Sequence, residues 1–101
     1  METARLLDIE AIRRACEQFG VQRLRVFGSV LTDRFNPETS DVDFLVDFQS
    51  GREDLFRDYF DLKFELERIV GRGIDLVMER SVTNPFFKAS AFGNAQDIYA
   101  A

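Results

Sequence analysis

The sequence predicts an α/β or α+β fold in which helices flank a small mixed β-sheet. Segments with helical apolar spacing alternate with strand-like segments, in the order helix, strand, turn, strand, helix, strand, helix. The chain has 101 residues, of which 46% are hydrophobic, so it has enough apolar material for one compact core and too little length for two. We therefore expect a single domain over residues 1–101, with its motif-bearing core at about residues 23–78.

The first two elements are an amphipathic helix and a strand. Apolar side chains recur at helical spacing between residues 9 and 19, and Gly20 follows them as a stop signal. The run RLRVF, at 23–27, then alternates basic and apolar side chains until Gly28 interrupts it. This pattern is typical of a strand that ends in a tight turn.

The next two predicted strands carry acidic residues at unusual positions. Between Val42 and Phe48 apolar side chains occupy alternate positions and therefore share one face of the strand. Asp41 and Asp43 lie on the other face, at the start of the strand. The run GIDLVM, at 73–78, repeats the pattern with Asp75. Aspartate is a poor strand former and is costly to bury, so we expect these residues to have a function.

Helices and a possible edge strand complete the predicted elements. Apolar spacing over residues 53–70 predicts the longest helix, and Asn84-Pro85 predicts the start of a short one. The terminal run DIYAA is either an edge strand or a frayed end. We expect most phenylalanines of the long helix to pack in the core. Their spacing of four drifts around a helix, so we also expect some exposed rings, as a patch for a partner or a second copy.

Composition argues against several functional classes. A formal net charge of -5 argues against a protein that binds nucleic acid mainly through phosphate contacts. The absence of histidine removes His-based zinc sites and Ser-His or Cys-His nucleophile pairs. The single cysteine, Cys16, cannot form an internal disulfide, and the sequence has neither a membrane-spanning run nor a secretory signal. We therefore expect a cytoplasmic protein without a membrane partner.

The three aspartates predict a site for hard divalent cations. If Asp75 lies opposite Asp41 and Asp43 on the neighbouring strand, three like charges converge and raise each other's pKa values. Mg²⁺ relieves this repulsion, and it prefers one or two carboxylates together with water and substrate phosphates. Two such ions, about 3.5 to 4 Å apart, can activate an attacking oxygen and stabilise a leaving pyrophosphate.

Gly28 and Ser29 predict a phosphate-binding turn beside these carboxylates. Glycine permits a close approach of the backbone to a phosphate, and the amides of the turn can donate to a triphosphate together with the Ser29 hydroxyl. A glycine-serine pair alone is weak evidence, as is Asp-x-Asp alone. In this order, with Asp75 in phase on the next strand, they favour a shared site.

Together these motifs resemble the minimal nucleotidyltransferases of the DNA polymerase β superfamily. The matching features are FGS at 27–29, a spacer of eleven residues between Ser29 and Asp41, SDVDFLV at 40–46 and GIDLV at 73–77. The resemblance implies the polymerase-β-like nucleotidyltransferase fold. It also implies transfer of a nucleoside monophosphate from an NTP, usually ATP, to a hydroxyl with two Mg²⁺ ions. Many small members of the family act as antitoxins that add AMP to a tyrosine of a helical HEPN-type toxin.

Residue roles follow from the same resemblance. Gly28 and Ser29 would hold the triphosphate, and Asp41 and Asp43 would bind both metals. Asp75 would be a further metal ligand and a possible base toward the acceptor. Family members often have an arginine at the position of Thr32, so the grip on the triphosphate is weaker here or is supplied by Arg34 or by a partner.

Three hypotheses about function remain open from the sequence. The first is an Mg²⁺-dependent nucleotidyltransferase that transfers AMP to a protein hydroxyl, as the antitoxin of a toxin-antitoxin pair. The second is a binding module with weak or lost catalysis that neutralises its partner by complex formation. The third is a nucleotide-sensing regulatory subunit. A homodimer is compatible with each hypothesis.

Overall fold

A mixed β-sheet forms the centre of the structure, a computed structural model that describes residues 7–32, 36 and 41–101. Its strands are β1 (Val21–Phe27), β2 (Val42–Phe48), β3 (Ile74–Met78) and β4 (Gln96–Ala100). Their order in the sheet is β3-β2-β1-β4. β1 pairs antiparallel with β2 and with β4, whereas β2 and β3 are parallel. The prediction of a small mixed sheet flanked by helices is therefore confirmed, and DIYAA contributes to an edge strand.

Within the described residues three α-helices flank this sheet, and side-chain caps define their starts. They are α1 (Ile9–Gln18), α2 (Leu55–Val70) and α3 (Pro85–Asn94). The Asp54 carboxylate accepts a hydrogen bond from the Arg57 amide, so α2 begins two residues later than predicted. Asn84 caps α3 in the same way, with Pro85 at the first helical position, as the sequence predicts. Short 3-10 helices follow β1 and β3, at Gly28–Leu31 and Glu79–Ser81.

One face of the sheet carries the apolar core. The alternate residues of β2 predicted to face the core are buried, and they pack with α1 and α2. The largest fully buried side chains of this core include Leu24, Val26, Val42, Phe44, Val46, Phe48, Leu62 and Leu66. Burying such side chains is the main favourable contribution to folding. No helix in the part of the chain that the structure describes is long and apolar enough to cross a bilayer.

The other face of the sheet combines charged and aromatic side chains. Arg25 of β1 is only 7% exposed and forms an ion pair with Glu79, which follows β3. Its guanidinium also lies 4.8 Å from the centre of the Phe92 ring of α3. Nearer the end of β1, the Phe87 ring packs edge-on against Phe27, with 6.2 Å between the ring centres. These contacts hold α3 over one part of this face.

We expect the buried ion pair to be important for stability. The substitution Glu79→Ala leaves the Arg25 charge buried without its partner, so we expect a loss of about 3 kcal/mol in the free energy of unfolding. The matched control is Glu65→Ala, which removes a more exposed ion pair with Arg68 and should cost less than about 1 kcal/mol. Urea unfolding of both variants measures the difference. Equal losses would contradict a special contribution from Arg25.

Candidate active site

The pairing of β2 with β3 brings two of the predicted aspartates together. In this parallel pair Asp43 lies directly opposite Asp75, and both side chains are on the face away from the core. Their carboxyl groups are close enough to share a hydrogen bond. The carboxylate of Asp41 lies near Gly73, where an added Cβ would be 2.9 Å from Asp41 Oδ1. The three predicted acidic residues therefore share one end of the sheet.

This arrangement raises the pKa of Asp43. Partial burial, the hydrogen bond with Asp75 and the negative charges of Asp75 and Asp41 together raise it from its ordinary value of 3.8 to about 6. Each of these effects disfavours the ionised carboxylate. A cation bound between the carboxylates would oppose them, because it stabilises the ionised form.

The glycine turn packs directly against Asp43. Gly28 has a φ of 79°, in the left-handed region, and a Cβ added there would be 2.4 Å from Asp43 Oδ2. Glycine is therefore required at this position for two reasons: the backbone is left-handed there, and the Asp43 carboxylate leaves no room for a Cβ. The Ser29 carbonyl closes the turn by accepting hydrogen bonds from the Thr32 amide, at 2.9 Å, and from the Thr32 hydroxyl, at 3.0 Å. Thr32, at the position where the resemblance led us to expect an arginine, thus helps to hold the turn.

Two clefts meet at this turn and at the aspartates. The turn cleft, about 680 Å³, is lined by Gly28, Ser29 and Thr32 together with residues of α3 and β4. The carboxylate cleft, about 380 Å³, is lined by Asp43, Asp75 and residues of α2 and β3. Phe27 and Phe87 line both clefts, so the pair of rings stands between them. None of the described residues that line the turn cleft is cationic.

Two residues of the carboxylate cleft were not predicted from the sequence. Lys63 of α2 lines it beside Asp43 and Asp75 and places a positive charge near the carboxylates. Tyr59, one helical turn earlier on α2, is partly buried. Its hydroxyl donates a hydrogen bond of 2.6 Å to the Leu76 carbonyl of β3. Tyr59 and Lys63 are four residues apart, so the sequence predicts that they share one helix face. Only the packing of α2 beside β3 shows that this face adjoins the carboxylates.

The carboxylate pair fits a magnesium ion, although it does not enclose one. Within residues 7–32, 36 and 41–101, no three acidic or cysteine side chains are gathered closely enough to surround a metal by themselves. Mg²⁺ does not require such a cage, because it keeps several waters and takes one or two carboxylates plus substrate phosphates. Asp43 and Asp75 supply two carboxylates of this kind, and partial burial, followed by the neighbouring Asp75 and Asp41, raises the pKa of Asp43.

The structure brings most of the predicted site residues together. Gly28 contacts Asp43, Asp43 contacts Asp75, and the charge of Asp41 acts on Asp43. Ser29 lies in the same turn as Gly28 and lines the turn cleft. Their roles as nucleotide and metal ligands remain predictions. Arg34, the other predicted nucleotide-binding residue, is outside the described residues.

Comparison with known proteins identifies the family. The family model described as nucleotidyltransferase domain matches residues 9–98. The protein adenylyltransferase MntA of Thermococcus cleftensis is 39% identical over 72 residues, 71% of this chain and 70% of that protein. A Methanocaldococcus jannaschii protein, provisionally named a protein adenylyltransferase, is 37% identical over 79 residues, 78% of this chain and 81% of that protein. The chain belongs to the nucleotidyltransferase family and is a nucleotidyltransferase.

Solved structures support the same conclusion about the fold. A structure described as a candidate minimal nucleotidyltransferase superposes with a TM-score of 0.73 at 36% identity, covering 88% of this chain and 87% of that chain. A structure of a tri-AMPylated HEPN toxin of Shewanella oneidensis in complex with an MNT antitoxin superposes with a TM-score of 0.64 at 17% identity, covering 93% of this chain and 71% of that chain. The second likeness concerns the fold alone. The resemblance of the sequence to minimal nucleotidyltransferases is confirmed.

The raised pKa of Asp43 predicts that stability without metal depends on pH. Well below pH 3.8 Asp43 is protonated in both the folded and the unfolded protein, so its ionisation has no effect on stability there. As the pH rises toward 6, the unfolded chain releases this proton more readily than the folded one, and the folded state is destabilised. We expect Asp43→Asn to be more stable than wild type at pH 7.5 in EDTA, by on the order of 1 kcal/mol because partial exposure screens the repulsion. Urea unfolding at pH 4 and at pH 7.5 checks this, and an equal difference at both values would contradict it.

The contact between Gly28 and Asp43 predicts a selective effect of a methyl group. Gly28 and Gly51 have similar φ values, 79° and 81°, but a Cβ at Gly51 would meet no atom within 4 Å. Alanine at either position therefore adds backbone strain of about 1–2 kcal/mol. Only Gly28→Ala also displaces the Asp43 carboxylate. We expect Gly28→Ala to lower nucleotidyl transfer roughly tenfold or more, whereas Gly51→Ala retains it. Similar activity in the two variants would show that the contact is unimportant.

Proposed function

We propose that this nucleotidyltransferase transfers AMP from ATP to a hydroxyl of a protein acceptor, with Mg²⁺, and that it acts as the antitoxin of a toxin-antitoxin pair. The observation that carries the proposal is the pairing of Asp43 with Asp75 beside the Gly28 turn. Acidic residues that bind cations and a turn that binds phosphates are the two parts that phosphoryl transfer requires.

The geometry supports a division of roles among these residues. The Gly28–Leu31 turn holds the triphosphate, with backbone amides and the Ser29 hydroxyl as donors. Asp41, Asp43 and Asp75 would hold the two proposed Mg²⁺ ions. When bound, the ions neutralise the phosphate charge and assist both the attacking and the leaving oxygen.

The proposed reaction is an in-line displacement at the α-phosphorus of ATP. The acceptor oxygen forms a bond to that phosphorus, the bond to the bridging oxygen breaks, and pyrophosphate leaves. Asp75 is exposed and lies on the edge strand β3, so it can receive the proton of the acceptor hydroxyl. Lys63 lines the same cleft and supplies a cationic side chain there.

The acceptor and the antitoxin role rest on the relatives. Two of them are named as protein adenylyltransferases, one provisionally, at 37% and 39% identity. An antitoxin with the same fold was solved in complex with its AMPylated HEPN toxin. We therefore propose a helical HEPN-type toxin as partner and acceptor. Cytoplasmic placement, where ATP is abundant, belongs to the same proposal.

A second candidate function is neutralisation by binding alone. Thr32 replaces the arginine that related proteins often have, and its hydroxyl is engaged with the Ser29 carbonyl of the turn. A weaker grip on the triphosphate would favour a protein that inhibits its partner by covering it. In that case Asp43→Asn would protect the partner as well as wild type does.

Labelling with radioactive ATP tests the proposed function. We expect the protein, incubated with α-labelled ATP and Mg²⁺ in a lysate of its host, to label a macromolecule, and Asp43→Asn to reduce this label at least about a hundredfold, since it removes a carboxylate ligand. The matched control is Asp47→Asn, on the same face of β2 but paired with Arg80 at 3.3 Å, which should retain the label. A label that survives in Asp43→Asn, or that disappears equally in Asp47→Asn, would refute the assignment.

A further inference from the structure

An apolar groove lies between α2 and the outer edge of β3. It has a volume of about 490 Å³, and its walls are mostly hydrocarbon side chains of Leu55, Phe56, Phe60, Leu76 and Met78. Phe56 is 75% exposed, and its ring centre is 4.7 Å from that of Phe60. Phe64 continues this row of rings, 6.4 Å beyond Phe60, and is 64% exposed. Exposed aromatic rings that adjoin a concave apolar surface are typical of protein interaction sites.

The groove is continuous with the carboxylate cleft. Tyr59, Leu76 and Val77 line both, so the two depressions share a wall. Asp75 precedes Leu76 directly in β3. A protein seated in the groove therefore reaches the carboxylates without crossing any other described part of the surface.

The geometry of the proposed reaction places the acceptor on the side of Asp43 where the apolar groove lies. In an in-line displacement the attacking oxygen and the leaving pyrophosphate lie on opposite sides of the phosphorus atom. The turn cleft, where we place the triphosphate, lies on the Gly28 and α3 side of Asp43. Asp75, Tyr59 and the groove lie on the β3 and α2 side. The acceptor hydroxyl must approach from the second side.

We propose that this groove docks the acceptor protein, through an apolar segment of that protein adjacent to the hydroxyl that receives AMP. Large aliphatic or aromatic side chains of the segment pack between the Phe56 and Phe60 rings and Met78. The hydroxyl-bearing side chain then extends over Tyr59 toward Asp75. The proposal rests on the proposed transferase function and adds to it the surface and the chemistry by which the acceptor is selected.

The test uses a charged substitution in the groove and a matched one outside it. Phe56→Asp places a carboxylate among the apolar walls, and Phe56→Ala is a milder version in case the charge disturbs folding. The control is Phe86→Asp on α3, where the ring is 85% exposed and lines none of the three clefts. Because both rings are largely exposed, all variants should fold, which thermal unfolding checks.

The probe is α-labelled ATP with Mg²⁺ in serial dilutions of host lysate. We expect Phe56→Asp to lower the labelling rate roughly tenfold or more in dilute lysate, as loss of a central aromatic contact does at interfaces, with recovery as the lysate is concentrated. Phe86→Asp should label like wild type. Calorimetry should give the same affinity for Mg²⁺-ATP in all variants, because the turn and the aspartates are unchanged.

Other results would overturn the proposal in distinguishable ways. If Phe56→Asp and Phe56→Ala label at the wild-type rate, the acceptor docks elsewhere. The same conclusion follows if Phe86→Asp lowers the labelling rate as much as Phe56→Asp does. If wild type sediments as a dimer that Phe56→Asp converts to a monomer, the groove is occupied by a second copy of the chain. If wild type labels nothing, the proposed function itself fails and the docking proposal falls with it.

Discussion

The parallel pairing of β2 with β3 is the constraint on which the candidate site depends. It places Asp43 directly opposite Asp75, in an arrangement that favours the protonated carboxyl over the ionised one. A fold selected only for stability would avoid this pair, since like charges opposite each other weaken a sheet. In the proposed function, a cation and phosphates bound between the two clefts would make the pair favourable. That function would therefore account for a feature that folding energetics alone disfavours.

The two faces of the sheet show how the fold accommodates the opposed carboxyl groups of Asp43 and Asp75. The face toward α1 and α2 is apolar throughout and supplies the core. The other face carries the aspartates at one end, and farther along it the buried Arg25 is neutralised by Glu79 and covered by the Phe92 ring. Among the described residues, charge on this face is therefore paired where α3 covers it, whereas Asp43 and Asp75 bring two carboxyl groups together at the candidate site. The proposed cation site requires such a contrast.

The sequence predicts the elements of this fold well, and it predicts the site in part. Alternation over 42–48 and 74–78 identifies both strands and the face that carries the aspartates, because the residues on the buried face of each strand are apolar. Lys63 was missed because its place beside the carboxylates depends on how α2 packs against β3, which no local pattern encodes. The expectation that most phenylalanines of the long helix pack in the core is wrong, because Phe56 and Phe64 are largely exposed, as the drift of their spacing of four allows. One helix face cannot bury all of its rings when its neighbour is the edge of a sheet.

An edge strand beside the candidate site also has a chemical consequence. β3 is the outermost described strand on its side, and the hydroxyl of Tyr59 satisfies one of its edge carbonyls, at Leu76. This contact fixes α2 next to Asp75 and forms the wall shared by the carboxylate cleft and the apolar groove. The same side chain thus protects an edge that could otherwise pair with another strand and shapes the approach to the aspartates. Protection of the sheet edge and access to the site therefore depend on one contact between helix and strand.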